Sequence, residues 1–433
     1  MVVKKLAIKL IFTAGALMLL GQLLILHYMK APTPFRIEPI SQFVNVTTSI
    51  PLPIILLDRK VLSELSDICP FCNLDHPLAF GSLYKHIQEV QSLQSVLDAA
   101  GFKSTVLLNT LPVEPAAPKI VRDMPTGFLI SKDGMTMQLV LLHERADSYW
   151  WYGAAQSDFG IKQKLADFRI QSDAQALEIM TSEGALERFK GVSVDVQGLT
   201  LMVPASIDNY LQQRSTDQFV ECSHSRAAAF FDEFGEDDSP DALKFKHKAW
   251  KILTTAKQVL DQLNIPFWLS SGTCLGYYRQ CDLITYSKDV DLGIMASDYS
   301  INLMPEFLKR GFKLKHIFGR ANDSFEISFM YDDLKLDLFF FYQEGDTIWN
   351  GGTQAKSGLK FKYIFPYFTL CWTEFLQLKV RVPCETLSYI LANYGSGWST
   401  PQRAWDWKSS PSNVHPNGKW EKKDWPEVIQ VFY

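Results

Sequence analysis

The sequence has little excess charge of either sign: 43 Lys and Arg against 47 Asp and Glu give a formal net charge of −4 over 433 residues. Proteins that bind nucleic acid or anionic membrane surfaces through charge carry a marked basic excess or basic clusters. No nucleic-acid partner is therefore expected. An apolar fraction of 47% is ample for packed cores, and the length suits roughly two or three domains.

Cysteine is scarce, and its pattern excludes the common zinc folds. The seven cysteines include one Cys-x-x-Cys, Cys69-Pro70-Phe71-Cys72, and no second copy follows. A structural disulfide or simple burial is therefore favoured over half of a zinc site or a redox pair. Cys274 with Cys281 and Cys371 with Cys384 are two further close pairs. Sequence does not give the connectivity, and the odd total leaves at least one cysteine unpaired or intermolecular.

Long hydrophobic runs are also rare, and the chain has one that suits a bilayer. Residues 10–26 are apolar and follow Lys4, Lys5 and Lys9. The positive charge before the run predicts a cytoplasmic tail (1–9), a transmembrane signal anchor (10–29) and a lumenal remainder, a single-pass type II topology. The alternative is a cleaved signal peptide, which is disfavoured because the run is longer than a usual h-region and no small-x-small pattern follows it.

The remainder divides by composition into three parts. Residues 30–51 are polar and proline-containing with poor periodicity, and are interpreted as a stem. An acidic, turn-forming break at 235–240 separates a mixed α/β accessory domain (52–234) from a catalytic domain (241–433), so the fold class is α+β. Asn45 and Asn322 stand in Asn-x-Ser/Thr tripeptides and are candidate glycosylation sites in a lumenal chain.

The accessory domain carries no clear chemistry. Hairpins are predicted at Asp133-Gly134 and Gln197-Gly198. His143 and the aromatic run 149–152 could contact a glycan, but large aromatic side chains more often form core, and both interpretations stay open.

Three aspartates carry the chemistry of the catalytic domain. A helix with an apolar stripe that includes Ala249, Leu253 and Leu260 leads to a strand ending in Ser270-Ser271-Gly272-Thr273. The next strand holds Asp289 and Asp291 on one face, since residues i and i+2 of a strand share a face. Asp337 lies in a second β-favouring run that a neighbouring strand could place beside them. Carboxylates held together in apolar strands call for a cation, and their hard oxygens suit Mg²⁺ or Mn²⁺.

Groups that could bind a phosphorylated substrate surround these acids in the sequence. The Gly272 and Thr273 turn would let backbone N–H groups approach a phosphate. Of the basic residues, Arg279 and Lys356 are the preferred candidates for the non-bridging oxygens of a transferred phosphoryl group, with Lys288 and Lys335 also close in sequence. Any one of these cations could equally be an ordinary solvated residue.

Several motifs of the second half resemble the fukutin and LicD-like phosphotransferase family, which includes fukutin-related protein. The matching segments are 268–276, 278–281, 287–293, 349–356 and 405–408. The resemblance implies a nucleotidyltransferase fold, Asp289, Asp291 and Asp337 at the catalytic metal, and transfer of ribitol 5-phosphate from CDP-ribitol to an O-mannosyl glycan of α-dystroglycan. It also implies a Golgi membrane location and, as candidate partners, fukutin-related protein and other enzymes of O-mannosyl glycan synthesis.

One departure from the family pattern concerns Ser287, where many members carry a further Asp; it puts a second metal in doubt. The residues alone indicate only a metal-dependent transfer from a nucleotide donor, in which Asp337 either completes the metal shell or takes the acceptor proton. Two alternatives are a glycosyltransferase of the GT-A type, which also uses Asp-x-Asp, and a non-catalytic Golgi chaperone of another transferase.

Overall fold

A computed structural model describes residues 37–432 apart from 68, 73, 75, 113–120, 155–162, 164, 169 and 171–181, together with the isolated residues 18 and 22. The predicted cytoplasmic tail and signal anchor lie outside the described residues, save for 18 and 22. Of the helices that the structure does describe, none has the length and apolar character needed to cross a membrane.

The N-terminal half is built on a mixed sheet. Its helices are α1 (Glu38–Ser49), α2 (Arg59–Ser63), α3 (Ile87–Ala99) and α4 (Ile207–Arg214). Its strands are β1 (Ile55–Leu56), β2 (Leu78–Leu83), β3 (Lys103–Pro112), β4 (Val121–Lys132), β5 (Met135–Arg145), β6 (Tyr149–Tyr152), β7 (Gly184–Glu187), β8 (Gly191–Val196) and β9 (Leu199–Pro204). The sheet runs β1-β2-β5-β4-β3, with β6 between β5 and β7, and β2 is parallel to β5. Both predicted hairpins are confirmed, as β4–β5 and β8–β9.

Helix α1 occupies much of the segment predicted to be a stem. Pro39, Ile40, Phe43 and Thr47 are buried along one side of it, and Ile40 and Phe43 belong to the N-terminal core. The prediction of an irregular stem is therefore wrong for residues 38–49. The apolar residues recur at helical spacing, but the stripe is too short and too interrupted by polar residues to stand out in the sequence.

The aromatic run on β6 is part of the core. Tyr149, Trp150, Trp151 and Tyr152 are all at most 7% exposed, because β6 pairs with a strand on each side. His143 packs between the rings of Tyr84 and Trp151, and burial lowers its pKa to about 4. The interpretation of these side chains as a glycan-contacting surface is wrong.

The C-terminal half is a second α+β unit, which confirms the predicted class. Its helices are α5 (His224–Phe234), α6 (Pro240–Gln262), α7 (Ser271–Gln280), α8 (Leu303–Lys309), α9 (Thr386–Tyr394) and α10 (Trp425–Val428). Its strands are β10 (Phe267–Leu269), β11 (Asp289–Met295), β12 (Lys313–Arg320), β13 (Asp323–Tyr331), β14 (Leu334–Glu344), β15 (Thr347–Gln354), β16 (Leu359–Pro366), β17 (Leu370–Phe375), β18 (Leu378–Pro383), β19 (Val414–Lys419) and β20 (Ile429–Val431). The main sheet runs β19-β16-β15-β14-β13-β12-β20, and β11 joins it through β14 and carries β10 on its other side.

Different helices pack on the two faces of this sheet. The buried stripe of α6, which includes Ala249, Leu253 and Leu260 as predicted, belongs to the same core as Leu292 and Leu338, and α6 packs on β11 and β14. Helices α7 and α9 lie against β11 and β16 and contact each other.

The halves are joined by direct contacts. Phe219 forms a parallel β-bridge with Trp372. Helix α5 packs on α7, so the segment before the acidic break at 235–240 contacts the C-terminal unit. The boundary between the two domains stays a prediction.

Three disulfides link Cys69 to Cys72, Cys222 to Cys281 and Cys371 to Cys384, and Cys274 is a buried free thiol. The disulfide interpretation of Cys-x-x-Cys is confirmed. Cys274 and Cys281 do not pair with each other. Seven residues of helix separate their Cα atoms by about 10 Å, which is beyond the reach of a disulfide.

Candidate active site

The three predicted aspartates come together on two parallel strands. In the β11–β14 register Asp291 lies directly beside Asp337, and Asp289 lies beside Lys335. One carboxylate oxygen from each aspartate falls within 4.8 Å of the others. The prediction that a neighbouring strand brings the third acid to the first two is confirmed.

Burial makes this cluster electrostatically costly. Asp291 and Asp337 are only 6% and 2% exposed. Burial, and then the charges of Asp289 and Asp337, raise the pKa of Asp291 well above its usual range. Burial also raises the pKa of Asp289, against the opposing effect of Lys335. In the absence of a metal cation, protonation of some of these carboxylates is therefore favoured over ionisation of all three.

Lys335 supplies positive charge at the cluster. Its Nζ lies 2.6 Å from Asp337 Oδ2 and 3.6 Å from Asp289 Oδ2. Burial disfavours the ammonium, but the charges of Asp337 and Asp289 outweigh this and raise the Lys335 pKa. Lys335 was predicted to lie near the acids, but Arg279 and Lys356 were the preferred candidates.

The Ser-Ser-Gly-Thr segment begins a helix and fixes Asp291. Gly272 N donates to Asp291 Oδ2 at 3.1 Å, and Asp291 N donates to Thr273 Oγ1 at 2.8 Å. A Cβ on Gly272 would lie 3.4 Å from Asp291 Oδ2 and 3.1 Å from Ser287 Oγ, so glycine permits a close approach here. Ser287 Oγ in turn donates to Asp289 Oδ1 at 2.6 Å. The first turn of α7 thus orients the carboxylates; phosphate binding by Gly272 and Thr273 stays a prediction.

A polar row continues from Asp337 across the sheet. Ser328 pairs with Asp337 in the β13–β14 register and with His316 in the β12–β13 register. Ser328 Oγ lies 2.5 Å from Asp337 Oδ1 and 2.7 Å from His316 Nε2, and His316 Nε2 lies 3.0 Å from Glu326 Oε1. Ser328, His316 and Glu326 were not predicted from the sequence. The one signal was the alternation of Glu326 and Ser328 with apolar neighbours on β13, which is too common to identify a site.

Two tyrosines of α9 border the cluster. The Tyr389 hydroxyl lies 2.8 Å from Ser270 Oγ at the start of α7. Burial, and then the negative charge of Asp291, raise the pKa of Tyr394 well above its usual range. The C-terminal end of α9 is therefore within electrostatic reach of the carboxylates.

The other predicted cations lie apart from the cluster. The Arg279 guanidinium is 2% exposed, contacts Gln280 Oε1 and lies over the Phe230 ring, and burial lowers its pKa. Lys288 and Lys356 are exposed, the first in the turn before β11 and the second in the turn that joins β15 to β16. Within the described part of the chain, no ion pair links these three residues to the aspartates. Their substrate-binding roles stay predictions.

Both candidate glycosylation sites are exposed. Asn45 lies on α1, and Asn322 lies in the turn between β12 and β13. Their modification stays a prediction.

Comparisons with known proteins agree with this geometry. Residues 66–250 match a family model described as fukutin N-terminal, and residues 264–385 match the LicD/FKTN/FKRP nucleotidyltransferase domain. Proteins named "Ribitol-5-phosphate transferase FKTN" are 38% identical over 416 residues in Macaca fascicularis and Homo sapiens and 39% identical over 413 in Mus musculus. Each alignment covers 91% of this chain and 88% of the relative.

The chain belongs to the fukutin family. All three aspartates, Lys335, Ser328, His316 and Glu326 fall within the segment that matches the nucleotidyltransferase domain. The resemblance stated from the sequence motifs is thereby confirmed.

Proposed function

We propose that this fukutin family member is a metal-dependent transferase that moves ribitol 5-phosphate from CDP-ribitol to an O-mannosyl glycan of α-dystroglycan. The observation that carries the proposal is the register that places Asp289, Asp291 and Asp337 together within a domain matching the nucleotidyltransferase family. The names of the relatives, ribitol-5-phosphate transferases, supply the transferred group.

The residues fit a hard divalent cation. Asp289, Asp291 and Asp337 offer carboxylate oxygens only, the donor set that Mg²⁺ and Mn²⁺ prefer. The raised pKa of Asp291 and the ammonium of Lys335 between two carboxylates both indicate a cluster that is short of positive charge. A bound Mg²⁺ or Mn²⁺ would neutralise charge on the donor diphosphate.

The remaining chemistry is assigned to the chain itself. The acceptor hydroxyl oxygen attacks the phosphorus that bears ribitol, the bond from that phosphorus to the CMP oxygen breaks, and CMP leaves. The acceptor proton passes to Asp337, whose Oδ1 is oriented by Ser328. Lys335 remains beside the cluster and offsets part of the negative charge that accumulates during attack.

The test uses Asp289→Asn and Asp291→Asn, which remove a charge while keeping shape. We expect transfer to fall by orders of magnitude and the rise in thermal midpoint on adding Mn²⁺ to be lost, while the metal-free protein stays folded. Asp261→Asn, an exposed helix position paired with Lys257, is the matched control and should behave as the parent. Near-normal transfer by both site variants at saturating metal would contradict the proposal.

The same assay separates the alternatives. The mass of the acceptor increases by a ribitol phosphate if the proposal is correct, and by a sugar without phosphate if the protein is a glycosyltransferase. A chaperone of another transferase would leave the acceptor mass unchanged with purified protein.

Location in the Golgi membrane, with the catalytic domain in the lumen, is part of the proposal. The membrane topology rests on residues 4–26 of the sequence, and the Golgi rests on the resemblance to the family. An epitope added after Tyr433 should resist protease in sealed microsomes and be digested once detergent is present. Digestion without detergent would reverse the topology. Association with fukutin-related protein or other enzymes of the same glycan pathway would be measured by co-purification from Golgi membranes.

A further inference from the structure

The loop that follows α9 carries two tryptophans with large exposed faces. Trp405 is 41% exposed and Trp407 is 39% exposed, although both pack against neighbouring aromatic rings. Residues 401–406 belong to no helix or strand and lead into a turn at 407–409. Exposed tryptophan surface is costly, so two such faces two residues apart in the chain call for an explanation.

Trp407 lies on the same face of the sheet as the aspartates. Alternate residues of β14, from Asp337 to Phe341, share one face, and the register pairs Phe341 with Asn350 on β15. Gly352 is two positions further along β15 and pairs with Phe361 on β16. A Cβ on Gly352 would lie 3.1 Å from the Trp407 ring, and Phe361 meets that ring edge-on with centroids 5.3 Å apart.

An electrostatic effect supports the same placement. Tyr363 on β16 pairs with Asn350 and donates its hydroxyl to Trp407 O at 2.9 Å. Burial, and then the charges of Glu326 and Asp406, raise the pKa of Tyr363. The hydroxyl of Tyr363 therefore ties β16 to the loop that carries the tryptophans.

Trp405 packs on α9. Its ring lies 4.9 Å from the ring of Tyr394 on that helix, whose Tyr389 hydroxyl contacts Ser270 at the start of α7. Arg403, two residues earlier, lies over the ring of Tyr286, which precedes β11 by three residues. The segment 403–407 thus extends from Tyr286, just before the strand that carries Asp289, to Gly352 on β15 and Phe361 on β16.

The loop is ordered by its own hydrogen bonds. The Asp406 carboxylate accepts from Ser409 Oγ at 2.9 Å and from Lys408 N at 3.3 Å, and Asp406 N donates to Ser410 Oγ at 2.9 Å. Rings held in place by such bonds bind a ligand at small entropic cost, because little ordering remains to be done.

We propose that Trp405 and Trp407 form a stacking platform for the saccharide acceptor, next to the aspartates that hold the donor. The proposal rests on the proposed function, which needs a sugar hydroxyl at the transferred phosphorus. The C–H groups of a pyranose carry partial positive charge and pack on the negative face of an indole ring.

Kinetics of Trp405→Ala and Trp407→Ala with the full chain test the platform. We expect the KM for a synthetic O-mannosyl oligosaccharide to rise about tenfold in each variant, while the KM for CDP-ribitol changes less than about twofold. Trp250→Ala is the matched control, since Trp250 is 41% exposed on α6, and it should leave both KM values unchanged. An unchanged acceptor KM in both loop variants, or an equal rise in the donor KM, would overturn the proposal.

Two further measurements guard against misfolding and against failure of the proposed function. Trp405→Phe and Trp407→Phe keep an aromatic face and should recover most of the acceptor affinity that the alanine variants lose. If the phenylalanine variants have the parental thermal midpoint but do not recover this affinity, stacking is contradicted. In the absence of CDP-ribitol, saturation-transfer NMR should show a signal from the oligosaccharide with the parent protein. That signal should be lost with Trp405→Ala. If the parent transfers nothing but binds the oligosaccharide through these rings, only the proposed function is wrong; absent binding rejects the platform.

Discussion

At the scale of single residues, Asp337 is the most constrained member of the cluster. Both of its carboxylate oxygens have partners, Ser328 Oγ on Oδ1 and Lys335 Nζ on Oδ2, and its side chain is 4% exposed. Asp289 is more accessible, with a side chain 25% exposed. A residue held by two strands and two partners is positioned accurately, which suits either a ligand or a base.

Asp337→Asn separates those roles. We expect turnover at saturating metal to fall by about 10² or more and the acidic limb of the pH–rate profile to disappear, because the variant has no carboxylate to take the acceptor proton. Titration of Mn²⁺ against rate is the measurement, with Asp323→Asn, which loses a comparable contact to Lys360, as control. Recovery of the parental rate by excess metal would make Asp337 mainly a ligand, and an unchanged rate would make it structural.

Lys335→Met removes the cation while keeping an unbranched side chain. The metal-free protein should lose about 2 kcal/mol of stability, because the buried carboxylates are left without their charged partner. The rise in thermal midpoint on adding Mn²⁺ should be larger than in the parent, since the metal no longer competes with an ammonium.

Differential scanning fluorimetry with and without Mn²⁺ measures both effects. Lys360→Met, which breaks the Lys360–Asp323 pair on the same sheet, should lower stability without changing the metal response. A smaller metal response in Lys335→Met would mean that the lysine assists metal binding.

At the scale of elements, α7 links the site to the rest of the protein. Its first turn holds Asp291 through Gly272 and Thr273, and the residue that ends it, Cys281, is disulfide-bonded to Cys222. The Cys222–Cys281 bond closes a separation of 59 residues, whereas Cys69–Cys72 closes 3.

Replacing both Cys222 and Cys281 by Ser should lower the free energy of unfolding by about 4 kcal/mol, because an unfolded chain without this cross-link gains much loop entropy. The matched double replacement at Cys69 and Cys72 removes a disulfide that closes only a short loop. It should lower the free energy of unfolding by about half as much. Urea denaturation, with non-reducing mass spectrometry to confirm the remaining bonds, measures the difference. Equal losses in the two variants would mean that loop entropy does not govern their stability.

At the scale of the whole molecule, charged groups join the two halves. Arg145 of β5 contacts Glu221 at 2.7 Å and Glu374 of β17 at 3.3 Å, and the Tyr149 hydroxyl donates to Glu374 at 2.8 Å. Lys379 of β18 reaches Glu187 of β7 at 2.6 Å. All of these groups except Glu187 are largely shielded from water, so their pairing contributes more than exposed ion pairs do.

Arg145→Met should cost about 2 kcal/mol, because two partly buried carboxylates lose their shared donor. It should also separate thermal unfolding into two transitions as the halves lose their coupling. The control is Arg188→Met, whose partner Glu144 belongs to the same half and is 47% exposed; its effect should be under about 1 kcal/mol. A single transition in Arg145→Met, with unchanged midpoint, would show that the apolar contacts alone couple the halves.

Local patterns were sufficient to predict much of this protein. Alternation within eight residues identified β11 and placed Asp289 and Asp291 on one face, because the two-residue period of a strand needs no partner to be recognised. The stripe of α6 and the turns at Asp133-Gly134 and Gln197-Gly198 follow from equally local rules. The motifs around Gly272 and Asp291 were sufficient to indicate the family.

Tertiary structure alone decided the surroundings of the aspartates. Which cation neutralises them, which side chains extend the row from Asp337, and where Trp405 and Trp407 lie all depend on strand registers that join segments tens of residues apart. The prediction from the sequence favoured Lys356 over Lys335 as the cation of the site, because local sequence contains no signal for the pairing of distant strands. The physical reason is that a register is fixed by the burial of whole strands, so every residue on a strand is placed by all the others at once.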